Sequence, residues 1–411
     1  MIQFEKFILN NGLKVIVHKD ESTPMACVNI IYDIGARDED ESKTGFAHLF
    51  EHLMFGGSVN IPNYDEPLQL VGGENNAFTT NDITNYYCTV PVENIETAFW
   101  LESDRMLSLG FTDKSLEVQR NVVIEEFKQR YLNQPYGDVW LLLRPLAFKK
   151  HPYKWATIGK EISHIENAVM DDVKGFFKKH YHPANAIMVV AGNVNTEEVK
   201  KLSEKWFGPI PAQPKLKRDL PVEPKQTEFR ELTVHSDVPA NAIYMTYHMC
   251  SRLDKDYYAT DILSDILSRG NSSRLYISLV KEKQLFSEIN AYVSGDFDPG
   301  LFVVSGKLND DVDIKIAEKA IEEELAKLKN TAVTDDELQK CKNKVESSIT
   351  FSETDVLTKA TNLAISELLG DADEINKEIT KYNAVTKEQL TKVANELFQR
   401  NNCSTLYYLK K

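Results

Sequence analysis

The sequence predicts a duplicated α+β fold, two halves of similar order joined by a proline-rich segment. Three observations carry that expectation. At 411 residues the chain is long for a single core and suits two domains of ordinary size. The stretch GPIPAQPKLKRDLPVEP at 208–224 holds five prolines, which exclude helix and discourage a central strand. Strand and helix patterns alternate on either side of it without strict β-α-β order, the mark of an α+β class. The expected division is a first domain over 1–207, a linker over 208–226 and a homologous second domain over 227–411.

The elements follow in chain order. The opening MIQFEKFILNNGLKVIVHKD alternates polar and apolar residues and reads as a strand pair. The run 26–32, ACVNIIY, reads as a strand, followed by a charged turn and a helix from about Thr44. In the second half, 242–247, AIYMTY, is followed by a turn at RLDKD and a helix from about Tyr258. Each half closes on a further strand, AIMVVA at 186–191 and STLYYL at 404–409. Three helix starts carry capping spacing: Asn195 to Glu198, Thr334 to Glu337 and Thr386 to Gln389.

Composition narrows the function classes. Hydrophobic residues make up 42% and charged residues 27%, the balance of a globular protein. No apolar run approaches the ~20 residues that span a bilayer, and no apolar core followed by a cleavage site opens the chain. Cys27, Cys88, Cys250, Cys341 and Cys403 are scattered, with no C-x-x-C pair, so packing positions in a reducing cytoplasm are expected. A net charge of −14 argues against nucleic acid as a partner and favours basic peptides.

The sharpest chemical signal is His48-Leu49-Phe50-Glu51-His52, inside a proline-free, helix-compatible stretch. Residues four apart share one face of a helix, so both histidines can address one metal ion. Glu51 lies on nearly the same face, where it can take a proton from a water that the metal activates. This is the inverted order of the H-E-x-x-H motif. A catalytic zinc needs a third protein ligand and an open position. Glu125 and Glu126, in the helix-compatible run 117–130, are the candidates, and apolar Val122, Val123 and Phe127 do not choose between them. His180 and His182 flank Tyr181 ahead of Pro183 and suit a loop or packing role; the remaining histidines are isolated. No Walker-type, G-x-G-x-x-G or G-x-S-x-G motif is present.

These residues resemble the pitrilysin-type metallopeptidases, the family of insulin-degrading enzyme and the mitochondrial processing peptidase. The resemblance runs through GARDE at 35–39, GFAHLFEHLMF at 45–55, GGENNAFTT at 72–80, TNYY at 84–87, RNVVIEE at 120–126, Gly159, and YHPAN at 181–185. It implies two α/β-sandwich halves, as in the single-half, processing-peptidase-like members. It also implies one Zn2+ per chain, held by His48, His52 and Glu126, with Glu51 as general base. Asn76, Ala77 and Phe78 would lie on the strand that takes the substrate backbone by strand addition.

Two departures stand out. Gln119 occupies the position, seven residues before the ligand, where the family carries a supporting glutamate. In the second half, Val280 and Ser287 fall where the family has an Arg and a Tyr that bind the scissile carbonyl. The resemblance therefore implies an endopeptidase acting on unfolded peptides in a closed chamber. It also implies a homologous partner subunit supplying the Arg and Tyr, with a homodimer as the alternative. A non-catalytic assembly subunit of the same fold is the rival reading, and a zinc-holding peptide binder is a third.

Overall fold

The computed structural model describes residues 1–411 except Leu216, which lies within the expected linker and outside the described residues. The chain forms two compact units. The first gathers Met1–Lys128, Trp155–Leu220 and Thr350–Lys377; the second gathers Gln129–Lys154, Pro221–Ile349 and Glu378–Lys411. Each unit thus takes one segment from the opposite half of the sequence.

The first unit is a six-stranded sheet built from β1 (Glu5–Ile8), β2 (Lys14–Lys19), β3 (Met25–Tyr32), β4 (Glu74–Thr79), β5 (Thr84–Pro91) and β6 (Ala186–Gly192). Their spatial order is β1-β2-β6-β3-β5-β4, with β2 and β6 parallel and the other pairs antiparallel. The opening strand pair and both strands expected near 26–32 and 186–191 form as anticipated. β3 and β6 are buried almost throughout, which explains their unbroken apolar runs. β4 stands at the edge of the sheet.

The borrowed Val356–Leu369 helix covers this sheet. It buries Ala360, Leu363, Ala364 and Glu367, an i, i+3, i+4, i+7 stripe, against β6 and β3. The buried Glu367 carboxylate accepts from Lys14 Nζ at 2.8 Å and Lys6 Nζ at 3.3 Å. The first part of the proline-rich segment is tied down too. Arg218 donates from Nε to Asp38 at 2.5 Å and from Nη2 to Asp33 at 2.8 Å.

The second unit carries a five-stranded sheet of β7 (Arg230–Ser236), β8 (Ala242–His248), β9 (Phe286–Val293), β10 (Leu301–Leu308) and β11 (Cys403–Lys410). The order is β7-β11-β8-β10-β9, with β7 and β11 parallel. Here the borrowed element is the Val139–Ala147 helix, whose Val139 and Leu143 pack with Val238, Ala242, Leu406 and Tyr408. The three expected helix caps are all present. Asn195 accepts from the Glu197 and Glu198 N–H groups, Thr334 and Glu337 bond reciprocally, and Thr386 accepts from Gln389 N–H.

In the first unit, His180 ends the Met170–His180 helix in a buried position, its ring 4.7 Å from that of Phe176. Burial holds its pKa down at about 3; Lys179, Arg218 and His182 push the same way and Asp33 opposes. A histidine that must stay neutral in the fold contributes stability above its unfolded pKa of ~6.5, and that stability is lost as pH falls toward 3. Stability against urea should therefore fall by up to about 1.4 kcal/mol per pH unit below pH ~6 on this account. His180→Gln should flatten that dependence; an unchanged slope would remove His180 as its source.

Candidate metal centre

The Phe46–Leu53 helix divides its residues cleanly. Phe46, Ala47, Leu49, Phe50 and Leu53 are buried, leaving His48, Glu51 and His52 on the opposite face. Phe50 is clamped by ring stacking on Phe176 at 4.9 Å and on Tyr181 at 5.2 Å. The helix starts at Gly45, whose φ of +88° suits glycine, and a Cβ there would meet the Ile158 carbonyl oxygen at 2.6 Å. Its first N–H groups are satisfied from outside the helix. The Glu39 carboxylate accepts from Gly45 N–H at 2.9 Å and Ala47 N–H at 2.8 Å. Burial pushes the Glu39 carboxyl up to about 8 even though both bonds favour its charged form.

The third donor comes from the Asp113–Phe127 helix, which opens on a Thr112 cap. Glu126 Oε2 lies 3.6 Å from His48 Nε2 and 3.3 Å from His52 Nε2. Glu125 points away, 60% exposed and paired with Lys128 at 2.7 Å. Of the two acids that the residue pattern left open, Glu126 is the one beside the histidines. The ligand atoms of His48, His52 and Glu126 lie within 4.8 Å of one another, and they are the one such group of three among the described residues.

This donor set fits zinc. Ligands at 2.0–2.1 Å in tetrahedral geometry sit about 3.4 Å apart, close to the two histidine–glutamate separations. Two imidazoles and one carboxylate leave a fourth position open, the pattern of catalytic rather than structural zinc.

Glu51 is positioned from the neighbouring strand: Thr79 Oγ1 donates to its Oε2 at 2.6 Å. Thr79 ends β4, so the expected Asn76, Ala77 and Phe78 run along the edge strand immediately beside this carboxylate. Asn76 pairs with Tyr87 and Ala77 with Tyr86 in the β4–β5 register. Gln119 lies two turns before Glu126 on the same helix. Thr79 and Glu39 lie inside the motif stretches at 72–80 and 35–39, but the sequence pattern does not predict the contacts they make, Thr79 with Glu51 and Glu39 with the Gly45 and Ala47 N–H groups. His180 and His182 stand apart from the metal-ligand cluster.

The sequence is similar to known proteins along nearly its full length. Residues 14–158 match the family described as insulinase (peptidase family M16), and residues 167–345 the family described as the peptidase M16 inactive domain. Zinc protease PqqE of Helicobacter pylori is 30% identical over 410 residues, covering 98% of this chain and 92% of that protein. The crystal structure of a protease from Helicobacter pylori matches with a TM-score of 0.93 at 29% identity, covering 99% of this chain and 100% of that one. Pitrilysin matches with a TM-score of 0.78 at 18% identity, covering 99% of this chain but 45% of that one, a likeness of fold alone. No helix among the described residues is long and apolar enough to cross a membrane.

The two neighbouring acids give a direct test of the third ligand. Glu126→Gln should weaken zinc binding by more than about a hundredfold in competition with a chromophoric chelator, since even outer-shell changes cost ten- to a hundredfold. Glu125→Gln should leave the affinity unchanged; equal losses would refute the assignment.

Proposed function

Since this chain belongs to the M16 (insulinase) peptidase family, we propose that it is a zinc-dependent endopeptidase hydrolysing unfolded peptides in a closed chamber. The observation that carries the reading is the convergence of His48, His52 and Glu126 with Glu51 held beside them by Thr79. Zinc bound by those three residues supplies a Lewis acid and lowers the pKa of water toward neutrality. Glu51 then serves as general base, taking a proton on its carboxylate and passing it to the leaving amine. Its bond from Thr79 fixes the carboxylate's direction and ties it to the strand that aligns the substrate. An extended peptide adds to the edge of β4 along Asn76, Ala77 and Phe78, its backbone groups bonding to the strand's outer side. Gln119, on the same helix as Glu126, offers the metal helix a neutral amide where a glutamate would add negative charge. The donor set weighs against a purely structural subunit, which has no use for three convergent ligands and a poised base.

Glu51→Gln should keep its zinc while peptide cleavage, followed by mass spectrometry on a mixed pool of unstructured peptides, falls by at least about a hundredfold. Turnover comparable with the wild type would refute the role of Glu51.

We further propose that the working enzyme pairs this chain with a homologous partner subunit that supplies an Arg and a Tyr. Val280 packs against the second unit's core, and Ser287 Oγ is bonded to the Lys307 carbonyl at 3.2 Å. Neither side chain offers a cation or a phenol to a scissile carbonyl. The purified chain should therefore cleave slowly by itself and gain activity with a related chain carrying that pair. A fully active homodimer in light scattering with a parallel activity assay would overturn the pairing.

A further inference from the structure

The second unit repeats five of the first unit's six strands, all but β1. β7, β11, β8, β10 and β9 follow the order of β2, β6, β3, β5 and β4, with the same parallel and antiparallel pairings. Two landmarks set the helices in register. Gly57 and Gly270, with φ of +95° and +86°, follow the Phe46–Leu53 and Tyr257–Ser268 helices. Thr112 and Thr334 cap the Asp113–Phe127 and Asp335–Ser352 helices, each accepting from the N–H three residues on. Counting back from the glycines puts Asp261 at the place of His48, Asp265 at that of His52 and Arg269 at that of Gly56. Counting forward from the threonines puts Cys341 at the place of Gln119 and Ser348 at that of Glu126.

In the first unit, the two helices meet through three converging metal ligands. In the second, a side-chain cation joins the same two positions. Arg269 Nη1 donates to the Asp265 carboxylate at 3.1 and 3.2 Å, and Nη2 donates to Ser348 Oγ at 3.1 Å. Asp261 is engaged elsewhere, accepting from Tyr382 Oη at 2.6 Å. Around the guanidinium opens a groove of about 690 Å³, lined among others by Asp265, Arg269, Ser272, Lys340, Lys344 and Ser347. Three cationic side chains face one carboxylate there, a local positive excess in a chain whose net charge is −14. The Arg269 side chain is 42% exposed, and a guanidinium has five N–H donors, so donors remain for a ligand after Asp265 and Ser348 are served.

We propose that this groove is a carboxylate-binding site in which the Arg269 guanidinium holds the metal's place and, with Lys340 and Lys344, receives a carboxylate of a bound peptide. The guanidinium fork matches a carboxylate in shape and charge, and it binds without activating water. The choice of a peptide as carrier rests on the peptidase reading. The carboxylate comes either from a C-terminus or from an acidic side chain.

The test uses the zinc-loaded Glu51→Gln chain and a labelled twelve-residue peptide without acidic side chains, read by fluorescence anisotropy. The free-acid form should bind about tenfold tighter than its C-terminal amide. An amide form carrying one internal Asp tests the side chain as source; a gain only there would assign the groove to acidic residues. Arg269→Gln should erase the preference while leaving zinc content and the amide's affinity unchanged. Lys344→Gln, at an exposed position that burdens the fold little, should reduce it several-fold. Equal binding of all three peptides would overturn the proposal, as would a preference surviving both substitutions, which would place the carboxylate elsewhere. Because binding and zinc content are the readouts, loss of the groove's preference and absence of peptide cleavage in the wild type are separate results.

Discussion

Three candidate ligand atoms from two helices must stay within a few ångströms of one another, with a second carboxylate, Glu51, beside them, and little of that arrangement is self-supporting. Imidazole edges and carboxylates have no attraction strong enough to align their own backbones. The backbones are therefore fixed from behind. The Phe46–Leu53 helix is held at its start by Glu39, along its buried face by Phe50 on Phe176 and Tyr181, and at its exit by the residues around Phe55. The Phe50 contacts lie on the face opposite the candidate ligands and the other two holds at the helix ends, so the metal face is left free while its position is fixed by packing.

The exit of that helix and the edge strand share one anchor. Arg105 and Glu102, 1% and 0% exposed, form a buried pair in which Arg105 Nε donates to Glu102 at 2.9 Å. Glu102 also accepts from Tyr64 Oη at 2.6 Å. The guanidinium lies over the rings of Tyr64, Tyr86 and Phe55 at 4.5, 4.6 and 5.2 Å. Phe55 follows the Phe46–Leu53 helix and Tyr86 of β5 pairs with Ala77 of β4, so one buried cation touches both the exit of that helix and the strand that backs the edge strand. Burying such a pair is costly; the Tyr64 hydroxyl donates to the Glu102 carboxylate, while Arg105 Nη1 has no hydrogen-bond partner and the guanidinium is covered by ring faces instead. Stability is a weak reason to keep a buried ion pair; fixing the relative placement of two elements is a stronger one.

What the sequence made legible follows from the range of the interactions. The His48-Glu51-His52 face is readable because one turn of helix brings those residues together without outside help. The caps at Thr334 and Thr386 are readable for the same reason, their partners standing three residues on. Glu125 and Glu126 could not be separated by pattern: neighbours on a helix differ by about 100°, and the flanking apolar residues suit either orientation. The resemblance pointed to Glu126, which is the acid that the packing turns toward the histidines. Asn75-Asn76 reads locally as a loop, yet pairing with β5 makes it strand, a tertiary override of weak propensity. Thr79 reaches Glu51 and Arg105 reaches the rings of Phe55, Tyr64 and Tyr86 across the fold, and no local spacing announces them.

The compact units cut across the halves of the sequence for a reason that hydrophobic patterning alone hides. A helix with one apolar stripe must cover some sheet, but the stripe does not say which. Leu363 and Ala364 pack in the first unit and Val139 and Leu143 in the second, so each half of the chain completes the core of the other. Separating the two halves at the proline-rich segment would strip a helix from both cores at once, exposing β3 and β6 in one unit and β8 and β11 in the other. The duplication is thus interlaced rather than merely tandem. That interlacing bears on chemistry, because a half without metal ligands cannot be discarded while the other half depends on its helix. At the positions that correspond to His48, His52 and Glu126, the second unit carries Asp261, Asp265 and Ser348. The Arg269 guanidinium then keeps two helices linked where a metal would otherwise have drawn them together.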